Sequence, residues 1–222
     1  MERRSKRKAI LCIFLALVLL MTGILVVWQG DNLRAYALSK LLSRQTLSDR
    51  MHQVQDDNRQ KLADQGVTVE APPQEALDKL IRGEIPADSV SVALPETADG
   101  SVQTAVLNAC AAELYRYQVA LYAELGNVRQ SARAEWKSYP KAERTAKLKN
   151  AIKMDAMSTC YGLEAEADKQ VAALLEKYRA EMVSVGGDPS EIDALWSVYC
   201  SEKASVKAYY LNLAKIKEEK QQ

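Results

Sequence analysis

The chain is poor in the side chains that carry most chemistry. One histidine, His52, and four cysteines occur in 222 residues. His-based zinc sites and Ser-His or Cys-His catalysis therefore lack parts, because each needs an imidazole beside a second specific group. Phenylalanine is nearly missing: Phe14 stands alone against ten tyrosines and three tryptophans. Charge of one sign is missing too, with 30 Lys and Arg against 29 Asp and Glu. Beyond residue 28 the balance turns slightly acidic, 25 basic residues against 28 acidic ones. A nucleic-acid binder needs a basic surface to release counterions, so nucleic acid is not an expected partner. Internal repeats and low-complexity segments are absent. Of only six prolines, four (Pro72, Pro73, Pro86, Pro95) crowd into residues 67–100.

Long apolar runs are lacking as well, with one exception. Ala9 to Trp28 is uninterrupted and uncharged, and Arg3, Arg4, Lys6, Arg7 and Lys8 precede it. At about 1.5 Å per helical residue such a run spans roughly 30 Å, the hydrocarbon thickness of a bilayer. A secretory h-region is shorter, about 7–15 residues, and ends in a small-x-small cleavage site. This run instead ends in Val26, Val27 and Trp28, which suits a membrane interface. It reads as an uncleaved signal anchor over residues 9–28, with cleavage after Ala37 as the alternative. Cys12 has only three apolar residues before it, a poor lipobox. Five basic residues before the run, against Arg34, Lys40 and Arg44 after it, favour a cytoplasmic N-terminus and an extracytoplasmic remainder. Residues 1–8 are too few for a cytoplasmic output domain.

The remaining residues read as all-α. A stalk helix is expected within residues 29–66, closed by Gly66. Its Leu47, Met51, Val54, Asn58 and Lys61 repeat at heptad spacing, a weak seam that permits packing or self-association. Residues 67–100 read as a linker with a short helix from Pro73 to Arg82, stopped by Gly83. Val90, Val92 and Leu94 alternate, but a strand needs a partner. From Ser101 three long helices are expected, breaking at Pro140 and at Gly186-Gly187. Asp188-Pro189-Ser190-Glu191 is a strong helix start. Short connections make neighbours antiparallel, so residues 101–222 are expected to form an elongated three-helix bundle roughly 50 Å long.

Few residues offer themselves as sites. Glu164, Glu166 and Asp168 form a carboxylate cluster, but acid–base work needs a cleft that shifts their pKa values. Ordinary helix surface is the simpler reading. Gly126 and Gly162 lie inside helices, where each costs about 1 kcal/mol relative to Ala; close packing or simple tolerance explains them best. Counting from the turns places Tyr117, Tyr161, Tyr209 and Tyr210 in one layer, either as boundary packing or as a recognition surface. The same counting brings Cys110 and Cys200 to one height, where a disulfide is possible outside the cytoplasm. The alternative is that the cysteines are small buried apolar residues. No catalytic, cofactor or metal residue is expected.

The stretches Leu163–Asp168, then GGDPSEI, then Tyr199–Leu211 resemble a group of bacterial single-pass proteins with helical ectodomains. No activity attaches to that group, so the resemblance implies topology and no site residues. The layout is also similar to the LemA family, though no motif is shared. The expected protein is a membrane-anchored, extracytoplasmic helical bundle, an interaction or scaffolding module at a bacterial cell envelope rather than an enzyme. The alternative is an envelope ligand-binding or sensor module. Expected partners are the bilayer, through residues 9–28, and another protein or a second copy.

Overall fold

The computed structural model describes residues 35–94 and 100–219. These are helical, and no β-strand occurs among them. The basic segment 1–8 and the expected anchor 9–28 lie outside the described residues. Among those described, no helix is long and apolar enough to cross a membrane.

After a helical stretch at residues 35–41, the described residues form α1 Arg44–Asp64, α2 Gln74–Arg82, α3 Val102–Ser138, α4 Ala146–Ser184 and α5 Ser190–Glu219. Their ends follow from local chemistry. Ser101 caps α3 by accepting the Thr104 N–H, and Thr145 caps α4 by accepting the Leu148 N–H at 3.2 Å. Asp188 accepts the Ser190 N–H at 2.9 Å, and these hydrogen bonds hold its carboxyl below the usual range. At the far end of α2, the Glu84 N–H reaches Lys79 O and the Gly83 N–H reaches Leu80 O. Gly83 stands there at φ +67°, a left-handed conformation that a Cβ would strain. The chain leaves α1 at Gly66 and α4 at Gly186 by the same pair of bonds.

Two expectations about helix ends fail for identifiable reasons. The stalk is not one helix: residues 35–41 are helical, the chain breaks, and Ser43 caps a new start by accepting the Thr46 N–H. The second long helix does not begin at Pro140. Lys141–Glu143 form a 3-10 turn, and Arg144 donates to the Tyr139 and Lys137 carbonyls left open at the end of α3. The pivot therefore lies several residues later, which shifts what α3 faces on α4 by about two to three helical turns.

The described residues divide into two compact units, one within residues 59–197 and the other made of residues 35–58 with 198–219. This division cuts across the expected bundle of residues 101–222. It also takes in residues 67–94, which are not a spacer: Val67, Val69, Leu77, Leu80, Ile81 and Val92 are all buried.

In the unit of residues 59–197, α3 packs against α2 and against α4. Along α3, Leu107 and Cys110 are buried, whereas Leu121 is only half-buried. A second buried stripe comprises Asn108, Ala112, Val119, Tyr122 and Gly126. At one end of it Gly126 lies so close to α2 that an added Cβ would overlap the Leu80 carbonyl oxygen. Gln130 then donates to Gly83 O at 2.7 Å. At the other end Asn108 holds residues 66–69. Its Oδ1 accepts the N–H of Thr68 at 2.7 Å and of Val69 at 3.2 Å, and its Nδ2 donates to Gly66 O and Thr104 O. Gly162, by contrast, has nothing within 4 Å of an added Cβ. One helical glycine is thus close packing and the other simple tolerance.

In the other unit, residues 35–58 run antiparallel to the second half of α5. Ala35, Leu47 and Ala208 form its small apolar cluster, with Leu38, Leu42 and Tyr209 against it. Polar pairs fix the register: Asn212 donates to Ser39 O and Leu42 O, and Asn58 donates to Ser201 and Glu202. The α1 seam includes Gln55 and Leu62 rather than the expected Val54 and Lys61, and Lys61 is exposed.

Candidate functional site

An open groove of about 420 Å³ lies between α3 and α4, lined by Glu113, Arg116, Tyr117, Ala120, Gln170 and Leu174. Glu113 also belongs to a polar cluster beside it. The buried Tyr178 donates its hydroxyl to Glu113 Oε1 at 2.7 Å, and Lys177 Nζ stands 3.4 Å from the same oxygen. The Lys177 ammonium also sits 4.6 Å from the centroid of the Tyr178 ring, a cation–π contact. Arg116 donates to Val92 O at 3.2 Å, tying one rim to residues 90–94.

Burial first, and neighbouring carboxylates second, favour the protonated forms of the phenols and the thiol here. Burial pushes the Tyr178 phenol up, and the carboxylate of Glu113 pushes it further. Burial, then the Glu166 carboxylate, raises Tyr117. Cys110 is fully buried, and desolvation, followed by Glu113, pushes its thiol from 9.0 up to about 12. A catalytic cysteine needs the opposite shift. The groove itself presents the Arg116 guanidinium and the half-buried Tyr117 phenol beside the apolar side chains of Ala120 and Leu174.

The four expected tyrosines divide between the two units. Tyr117 lines the groove, opposite Gln170 and Leu174 on α4. Tyr161 is 47% exposed on α4. Tyr209 and Tyr210 belong to the other unit, where their rings meet edge to face at 5.2 Å. All three described cysteines are thiols, so the expected Cys110–Cys200 bridge is not formed in this structure. Cys110 instead sits in the α3–α4 seam near Glu113 and Tyr178. The acidic cluster near Glu164 is spread along the helix, with Glu166 held by Lys169 at 3.7 Å and Gln170 at 3.1 Å. Among the described residues no group of three or more His, Cys, Asp or Glu is placed to hold a metal ion.

Sequence reasoning missed Glu113 and Asn108. Asn108 had a legible signal, since it is the one polar residue in the run AVLNACAA. Glu113 had none, because an isolated Glu on a helix reads as surface.

Cys110 gives a direct solution test. With the thiol raised to about 12, the thiolate fraction at pH 8 drops roughly a thousandfold below that of a free cysteine. Iodoacetamide should therefore spare Cys110 in the native protein and label it once the chain is unfolded. The protonated thiol is the form the fold prefers. Its contribution to stability is present below pH 9 and should be lost as pH rises toward 12. Rapid native labelling of Cys110, mapped by mass spectrometry, would contradict this.

No family model, no curated protein and no solved structure matches this chain.

Proposed function

We propose that this is a single-pass membrane protein of a bacterial cell envelope, with a helical body that serves as an interaction or scaffolding module outside the cytoplasm. The observation that carries the reading is the run Ala9–Trp28 with its five basic residues ahead of it. Twenty uncharged residues are difficult to keep in water and long enough to span the hydrocarbon core. The positive flank sets the N-terminus on the cytoplasmic side. The scaffold role is supported by the body's build, long helices whose open groove presents a phenol and a guanidinium to solvent.

The full chain should sediment with membranes and resist alkaline carbonate. On spheroplasts, external protease should remove the helical body and leave a short protected fragment. Recovery of a soluble chain beginning at Leu38 would overturn the anchor and indicate a secreted protein. A body protected from external protease would overturn the orientation.

A further inference from the structure

The near-neutral total charge conceals a local segregation. Where α3 ends and α4 begins, the hairpin tip carries Arg133, Lys137, Lys141, Arg144, Lys147 and Lys149, against only Glu135 and Glu143. At about 1.5 Å per residue all six cations fall within roughly 10 Å of the hairpin end. Arg133, Lys137, Lys141 and Lys147 are exposed. Arg133, Lys137, Lys141, Lys147 and Lys149 make no ion pair among the described residues. Apart from Asp155, the carboxylates of α4 cluster further along, at Glu164, Glu166 and Asp168 and again at Glu176 and Glu181.

The tip also departs from the rest of the unit in packing. Between Gly126 on α3 and Ala167 on α4, Ile152 is the only buried residue. Two aromatic residues with polar edges, Trp136 and Tyr139, lie half-buried among the cations at the end of α3. Such rings settle at the head-group level of a bilayer, and lysine and arginine stems accompany them there.

We propose that this basic tip is a docking surface for an anionic lipid bilayer, engaged through head-group phosphates. Each lysine or arginine near such a surface is attracted to it, and several together give salt-sensitive binding. The shape of the patch favours a bilayer over a linear polyanion. The cations cover the blunt end of two helices rather than a groove. A planar surface met end-on touches only this end, whereas a long polyanion would extend along α4 onto its carboxylates. The proposal goes beyond the anchor, since it gives the body a membrane contact of its own.

The test uses the full-length chain in nanodiscs of neutral phosphatidylcholine, which occupy the apolar run. These are floated with vesicles of phosphatidylcholine alone or mixed with phosphatidylglycerol. Recovery on the anionic vesicles should be at least about tenfold higher, and should collapse as salt rises from about 0.1 to about 0.5 M. Combining Lys137→Glu, Lys141→Glu and Lys147→Glu should abolish recovery while far-UV circular dichroism is unchanged. Arginine at the same three positions should preserve it. Equal recovery on both vesicle types, or undiminished binding by the glutamate variant, would overturn the proposal. Soluble polyphosphate bound as tightly as the vesicles would also overturn it, in favour of a soluble polyanion. A chain that fails to enter nanodiscs counts against the anchor alone. Presented directly to the vesicles, its tip must show the same preference or the proposal falls.

Discussion

Alanine at position 126 should destabilise the protein, while alanine at position 162 should stabilise it. Helix propensity alone predicts a gain of about 1 kcal/mol for either change. Gly126 is different because its Cβ would enter the Leu80 carbonyl oxygen and press on Leu80 C at 3.3 Å and Gly83 N at 3.4 Å. Those atoms are backbone, so α2 must move away and withdraw Leu77, Leu80 and Ile81 from the core. Overpacking of this kind costs about 1–3 kcal/mol, enough to exceed the propensity gain. At Gly162 the space is open and only the propensity term remains. Thermal melts of Gly126→Ala and Gly162→Ala should therefore shift in opposite directions, by a few degrees each for a chain of this size. Two upward shifts would show that α2 does not approach α3 so closely.

The second large effect is expected at Asn108. Leucine has the same number and branching of side-chain heavy atoms, though it is bulkier, yet it offers no partner to the Thr68 and Val69 N–H groups or to Gly66 O. Buried groups left without partners cost about 1–3 kcal/mol each. Thr68 is exposed enough to recover water and Val69 is not, which brings the expected loss to about 3 kcal/mol. Asn108→Leu should lower the melting temperature and remove hydrogen-exchange protection from the amides of Thr68 and Val69. Protection that survives in the variant would mean that another group holds the segment.

Much of the helical layout was legible in the sequence, because ends are local. Gly66, Gly83 and Gly186, together with Ser101 and Asp188, mark their helices with side chains or torsions that need no distant partner. Register was less legible. The heptad seam placed Val54 and Lys61 inward, but a helix of 3.6 residues per turn drifts from that period, and Gln55 and Leu62 take their places. The neighbours of Tyr117 on α4 were not legible because of one connection: Lys141–Glu143 add a 3-10 turn after Pro140 before α4 begins. Residues 67–94 looked like a linker because their partners are not local. Val67, Val69 and Val92 are buried, while a single distant side chain, Asn108, supplies the hydrogen bonds a neighbouring strand would otherwise give to residues 66–69. Of the groove, Tyr117 was legible as a candidate, but Glu113 and Gln170 become its neighbours only through the α3–α4 register.

The pairing of residues 35–58 with the end of α5 sets an order of events in time. The Asn58–Ser201 bond joins residues 143 apart in sequence, whereas the α3–α4 hairpin closes around a connection of a few residues. Closing the longer loop is entropically slower, and during synthesis its second half is made last. The hairpin can form while the chain is still growing. Until Ala208 and Asn212 are made, Ala35 and Leu47 have no apolar partner to cover them and the Ser39 carbonyl has no amide to accept from.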